Sequence, residues 1–333
     1  MQGGFVALFL VEISAKNHYA LYMKIFIIIL AFLLAAFFLA TYIIYRIGFY
    51  SSAHNHGGIY DVPPEEGFQR YKDKILSLVK EFDEKPFEPV QIKAYDGLKL
   101  AGRYYHIKDG GPIDICFHGW RGNGLRDFCG GSKISFELGH NVLLIDQRGQ
   151  WKSGGHTMTF GVKEKLDVIS WVDYVIKRFG PETRIFLYGV SMGAATVLMA
   201  SGLNLPENVK GIIADCPYAL PSDIIKKVTE EGMKLSYSFF KPAIFASAFF
   251  WGHFNLGDKN SNCCEAVKKS KTPILIIHGE EDGFVPCWMS RQIAESNPSL
   301  IRYETFPGAD HGMSYMSDTE RYESIAKSFI SAL

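Results

Sequence analysis

Two hydrophobic patterns divide the chain. Over residues 25–45 (IFIIILAFLLAAFFLATYIIY) there is no charge and no polar face. At about 1.5 Å per residue this run makes about 31 Å of helix, which matches a bilayer hydrocarbon core of about 30 Å. Lys24 and Arg46 bracket it, and Tyr42, Tyr45 and Tyr50 fall where interfacial aromatics are favoured. The pattern predicts a transmembrane anchor at 25–45. A cleaved signal peptide and a buried core helix are the competing readings. The run is long for a signal peptide, and Phe38-Leu39-Ala40 lacks the small residue that a cleavage site needs at its first position. Residues 1–24 read as a tail. Met23-Lys24 followed by apolar residues has the form of an ordinary start, so residues 1–22 read as an extension from an upstream start codon.

After the anchor the pattern shortens. Residues 46–84 read as a linker and lead-in helix. The polar stretch 51–58 carries His54 and His56, read as solvated rather than metal-binding, and 67–84 has helical spacing. Strands at 90–95 and 98–105 flank Asp96-Gly97, a hairpin signal. Short apolar strands then alternate with helices. Strands are expected at 113–117, 141–145, 184–188, 209–214, 273–277 and 300–305. Helices are expected near 125–138, 162–179, 194–200, 286–297 and 318–332. Such alternation predicts an α/β domain over residues 85–333, a mostly parallel twisted sheet with helices on both faces. One interval breaks the rhythm. Between Asp215 and Lys271 no strand–helix unit is visible, and the aromatic stretch SYSFFKPAIFASAFFWGHF reads as a helical cap insertion at about 218–262. Packing of an ordinary core helix is the alternative.

The candidate chemistry sits at one strand–helix junction, Gly189-Val190-Ser191-Met192-Gly193. A strand that turns sharply into a helix strains one residue and requires very small neighbours two positions away on each side. The turn then exposes the central side chain, and the helix N-terminus points at it. This is the nucleophile elbow, G-x-S-x-G. A serine hydroxyl needs a base, and the base needs an orienting acid. Two later loops at strand ends supply them in order, Asp282 as the acid and His311 as the base. Asp215, Glu280, Glu281 and Asp310 are the competing acids. The oxyanion donors expected are the backbone N–H groups of Met192 and Trp120, with Gly119 letting the backbone approach. His118 reads as a brace of that loop. Trp151, Tyr218, Phe250 and Trp251 are the candidate substrate-pocket residues.

The chain resembles the α/β-hydrolases from about residue 85 to the end. It is most similar to membrane-anchored bacterial hydrolases of the serine-aminopeptidase-like and dienelactone-hydrolase-like groups. The motifs that carry the resemblance are HGWRGN (118–123), DQRG (146–149), GHTMTFGVKEKLD (155–167), YGVSMGAA (188–195), IADCPY (213–218), HGEEDGFVP (278–286) and GADHG (308–312). The resemblance implies the α/β-hydrolase fold and an acyl-transfer machinery. It does not imply a substrate, because one such fold hosts many chemistries. Gln150-Trp151-Lys152 departs from the short small-residue turn usual after DQRG, and Trp151 either lines the site or caps the loop.

The expected function is therefore a serine hydrolase that cleaves ester or related acyl bonds through an acyl-enzyme intermediate, on a small-molecule acyl substrate. A peptidase or amidase of the same fold, and an inactive membrane-tethered binding protein, are the alternatives. The machinery needs no metal or organic cofactor. Lysine plus arginine and aspartate plus glutamate both number 35, so no basic field attracts nucleic acid and no such partner is expected. The balance of charge around the span, with Lys16, Lys24 and Glu12 before it and Arg46, Asp61, Glu65 and Glu66 after it, favours an extracytoplasmic catalytic domain. The six cysteines have no disulfide-scaffold or zinc spacing and weigh slightly the other way; Cys116 reads as strand packing.

Overall fold

The computed structural model of the protein describes residues 3–51 and 58–333, with side chains from residue 18 onward. His54 and His56 lie outside the described residues. The apolar N-terminal run is part of one helix, α1 (Gly3–Gly48). Its stretch His18–Gly48 is long and apolar enough to cross a membrane, and only 6% of its most apolar window is buried, so it is not a core helix. Among the described side chains, buried contact with the rest of the chain begins toward its C-terminal end. There Thr41, Tyr45 and Phe49, four residues apart on one face, are buried.

Beyond the linker, α2 (Glu66–Arg70) and α3 (Lys72–Asp83) lead into the hairpin of β1 (Glu88–Lys93) and β2 (Lys99–Tyr105). The hairpin turns at Gly97, whose φ of +83° suits a residue without a Cβ. Next come β3 (Ile113–Phe117), α4 (Gly124–Asp127), α5 (Gly131–Glu137), β4 (Asn141–Asp146) and α6 (Glu164–Phe179). They are followed by β5 (Ile185–Val190), α7 (Met192–Ser201), β6 (Val209–Asp215), α8 (Pro221–Lys227), α9 (Tyr237–Phe250) and α10 (Cys263–Lys269). The chain ends with β7 (Ile274–Gly279), α11 (Cys287–Ser296), β8 (Ile301–Phe306), α12 (Ser314–Ser317) and α13 (Thr319–Ser331).

The eight strands form one sheet in the order β1-β2-β4-β3-β5-β6-β7-β8. The pairs from β4 through β8 are parallel, and β1 and β2 are antiparallel additions at one edge. All residues of β3 and β7 are buried, as strands covered on both faces must be. Because these strands run one way, the loops after β3, β5, β7 and β8 open on the same edge of the sheet.

Two elements differ from the sequence pattern. The helix expected near 125–138 is two short helices, because the chain must pass Tyr315 at Gly130; a Cβ there would lie 2.3 Å from the Tyr315 ring. The interval between β6 and β7 does contain a crossover helix, α10, which packs on α7 and α11. Its seven residues are too few to display a helical period. The excursion precedes it: α8, a π-helical turn (Val228–Gly232) and α9. α9 lies along α1.

Candidate active site

The junction between β5 and α7 holds Ser191 at φ +55°, ψ −114°, a region that residues with side chains rarely occupy. Its neighbours explain how the strain is held. A Cβ on Gly189 would lie 2.4 Å from the Gly193 carbonyl carbon and oxygen, and one on Gly193 would lie 1.8 Å from the carbonyl oxygen of Phe117. Both positions therefore exclude any side chain. Ser191 N–H donates to the Asp215 carbonyl at 2.8 Å, which ties the turn to the end of β6.

Ser191 Oγ stands 3.0 Å from His311 Nε2, and His311 Nδ1 stands 2.7 Å from Asp282 Oδ2. His311 lies in the loop after β8 and Asp282 in the loop after β7. The two loops are laced together. Gly283 N–H and His311 N–H both donate to Asp310 Oδ1, at 3.1 and 2.7 Å, and Glu281 N–H donates to the Ala309 carbonyl. Asp282 Oδ1 accepts the N–H groups of Phe284 and Val285, so the carboxylate is fixed from both sides. Three of the four competing acids are occupied elsewhere. Asp215 accepts the Tyr322 hydroxyl at 3.1 Å, Glu280 accepts Thr305 Oγ1 at 2.6 Å, and Asp310 holds backbone.

The loop after β3 brings Gly119 against the serine, so that a Cβ on Gly119 would lie 3.5 Å from Ser191 Cβ. Gly119 N–H donates to Asp127 Oδ2 at 2.9 Å. His118 is buried behind the loop. Its Nε2 accepts the Gln147 N–H at 3.1 Å, so the ring proton is on Nδ1, which donates to the Gly119 carbonyl at 2.8 Å. The Gln147 side-chain amide donates to the His118 carbonyl. Trp120 and Met192 both border a cavity that reaches Ser191.

Two cavities meet at Ser191. One, about 590 Å³, is a mixed cleft bordered by His311, Arg121, Arg126, Asp310 and Phe68. The other, about 290 Å³, is apolar and bordered by Tyr218, Ile224, Val228, Phe240 and Ile244 together with residues of α1.

Residues 115–261 match the family model described as the alpha/beta hydrolase fold, and residues 232–329 match that of the dienelactone hydrolase family. The chain has the α/β-hydrolase fold. It is similar to the protein YqkD of Bacillus subtilis, 24% identical over 80% of this chain and 86% of that one. It is also similar to the thiohydrolase aneE of Aspergillus aculeatus, 31% identical over 42% of this chain and 44% of that one. Among solved structures, the Pyrococcus furiosus esterase Pf2001 superposes with a TM-score of 0.61 at 22% identity, covering 76% of this chain and 94% of the esterase. Est1E of Butyrivibrio proteoclasticus gives 0.55 at 21% identity, over 73% and 99%. These likenesses establish the fold.

Electrostatics in this α/β-hydrolase fold separate the two buried aspartates. Burial works to raise the Asp282 carboxyl, but the charge on His311 and hydrogen bonds from His278 and His311 outweigh it and hold Asp282 well below the usual carboxylate range. Asp215, with only Tyr322 donating to it, is pushed up to about 6 by burial. Burial also disfavours the His311 imidazolium, yet its pKa stands above the ordinary value because Cys216 and Asp282 face it. Burial lifts the Cys216 thiol to about 11, so near neutral pH Cys216 is uncharged and Asp282 supplies the upward push.

Three pocket assignments are corrected by the hydrolase structure. Phe250 and Trp251 do not line either cavity. Phe250 stacks edge-on against Phe38, and Trp251 stacks on Tyr42 and donates Nε1–H to Thr41 Oγ1 at 3.0 Å. Their aromatic surface is used on α1, which a one-dimensional pattern does not bring near them. Trp151, at φ +50°, donates its indole N–H to the Gly122 carbonyl at 2.7 Å and caps the loop after β3 instead of lining a cavity. Tyr218 does border the apolar cavity.

The sequence pattern missed three supporting residues. His278, buried at the end of β7, faces both Asp282 Oδ2 at 3.1 Å and the Val285 carbonyl at 2.8 Å through Nε2, which therefore carries a proton. Asp310 joins the loops after β7 and β8, and Asp127 anchors Gly119. His278 and Asp310 left a sequence signal, in HGEED and GADHG, although their supporting roles did not show; Asp127 left none. All six cysteines are free. Cys216, Asp282 and His311 offer ligand atoms within 4.8 Å of one another, the one such group among the described residues. The proton on His311 Nδ1 already bridges to Asp282, so an ion there would displace that hydrogen bond.

Proposed function

We propose that the protein is a serine hydrolase that cleaves acyl esters, tethered to a membrane by α1. The observation that carries this reading is the unbroken hydrogen-bonded chain Ser191–His311–Asp282 at the edge where the strands end. Asp282 accepts from Nδ1, which leaves Nε2 as an acceptor facing the serine hydroxyl. As Ser191 Oγ attacks the acyl carbon, its proton passes to Nε2, and the imidazolium is stabilised by the Asp282 charge. The carbonyl oxygen becomes an oxyanion, for which the N–H groups of Trp120 and Met192 are the donors. When the ester C–O bond breaks, Nε2 returns the proton to the leaving alcohol. Water then attacks the acyl-serine with His311 again as base, and the acid and free serine are released.

The two cavities that meet at Ser191 suit the two halves of an ester, the apolar one the acyl chain and the mixed cleft the alcohol. The segment 218–262 forms the cap over the apolar side. The test is covalent labelling by a fluorophosphonate, with Ser191→Ala as the control, beside hydrolysis of p-nitrophenyl esters and aminoacyl anilides. Labelling that persists in Ser191→Ala defeats the assignment of the nucleophile. Turnover of anilides in preference to esters makes the protein a peptidase or amidase.

A further inference from the structure

The apolar cavity has one wall that the hydrolase domain does not supply. Ile44, Ile47 and Gly48 at the end of α1, and Phe49 just after it, border it together with Trp120 and Ser191. The same end of α1 is bound to the loop that carries Trp120. Arg121 donates to the Ile47 carbonyl at 2.9 Å and to the Tyr50 carbonyl at 3.1 Å, where a helix end leaves carbonyls without partners. Tyr45 hydrogen-bonds Thr157, and the Phe49 ring lies against Phe160 and Phe254. The helix therefore enters the site as part of its structure.

The other wall is the cap. α9 packs along α1 through Phe38–Phe250 and Tyr42–Trp251, contacts that begin inside the uncharged run. Two of its other aromatics face outward: Phe239 is 77% exposed and Phe249 63%. Beside them, the uncharged face of α1 is exposed along its length, Phe32 at 72% and Leu39 at 61%. Water penalises such a continuous apolar surface, and a bilayer does not. The cavity that reaches Ser191 lies between these two helices, at the level where the membrane helix ends.

We infer that the substrate is a membrane-resident ester with a long acyl chain, which enters the apolar cavity from the bilayer between α1 and α9, so that the membrane helix is part of the acyl-binding site. This rests on the serine-hydrolase reading above. A long chain held there leaves water-excluded apolar walls along its length, and each methylene that the cavity buries is worth about fourfold in kcat/KM.

The experiment uses the full-length protein in phosphatidylcholine vesicles, with hexadecanoyl and butanoyl p-nitrophenyl esters. The hexadecanoyl ester is placed in the same vesicles as the protein or in separate ones. The expected result is turnover at least tenfold faster in shared vesicles. Gly48→Phe enters space where a Cβ meets nothing within 4 Å, and Ile47→Trp replaces a half-exposed wall residue. Each is expected to lower the hexadecanoyl-to-butanoyl ratio of kcat/KM at least tenfold. Ser191 labelling by a small fluorophosphonate is read on the same samples. Equal rates from shared and separate vesicles, or an unmoved ratio in both variants while Ser191 is labelled, overturn the inference alone. Failure of the wild-type protein to label overturns the hydrolase reading beneath it.

Discussion

Gly193 approaches Phe117 so closely that a Cβ on it would lie 1.8 Å from the Phe117 carbonyl oxygen. α7 is thus seated on the end of β3 with no room for a methyl group. Backbone on both sides prevents relief by a side-chain movement. Gly193→Ala should cost more than about 3 kcal/mol and abolish labelling of Ser191. Gly131→Ala is the control, because its nearest neighbour is the Phe128 ring at 3.8 Å, and it should be neutral or slightly stabilising. Thermal unfolding of the two variants compares them directly; equal midpoints would show that the close approach is relieved.

Asp282 fixes the tautomer of His311 and raises its pKa. Asp282→Asn should lower kcat on the order of 10³–10⁴-fold with little change in KM. The sign of the pH effect follows from the charge. The carboxylate stabilises the imidazolium, so its removal lowers the His311 pKa, and the acidic limb of the kcat/KM profile should move to lower pH. A limb that stays in place would mean that another group sets it.

Asp215 is the buried carboxyl that the relay does not use. Its folded pKa of about 6 lies above the ordinary value, so ionisation in the folded protein is disfavoured and stability is lost as pH rises through 6. Asp215→Asn removes that penalty. The variant should unfold a few degrees higher than wild type at pH 8, with the advantage fading toward pH 4, and should keep most of its turnover. Crippled turnover with an intact Asp282→Asn enzyme would exchange the roles of the two aspartates.

Trp251 belongs to the contact between α9 and α1. A double-mutant cycle of Thr41→Val and Trp251→Phe, followed by denaturation in detergent micelles, should give a coupling of about 0.5–1.5 kcal/mol. Additive effects would show that the indole and the Thr41 hydroxyl do not meet.

Much of this protein is written locally. Alternating apolar strands and amphipathic helices placed the sheet almost residue for residue, because strands such as β3 and β7 are buried on both faces and read as continuous apolar runs. Gly189 and Gly193 marked the elbow, since backbone crowding two residues from Ser191 is a local constraint. Chain order after the elbow then pointed to Asp282 and His311. The tertiary structure decided what depends on elements far apart in sequence. It separated Asp282, in the loop after β7, from Asp215, at the end of β6, by which one faces the imidazole. It broke the 125–138 helix at Gly130 because Tyr315 arrives from the far end of the chain. It also turned Phe250 and Trp251 away from the cavity and brought Ile44 to Phe49 into it, because α1 and α9 meet across about two hundred residues of chain. Periodicity reports which face of an element is apolar; only the packed structure says which apolar face it meets.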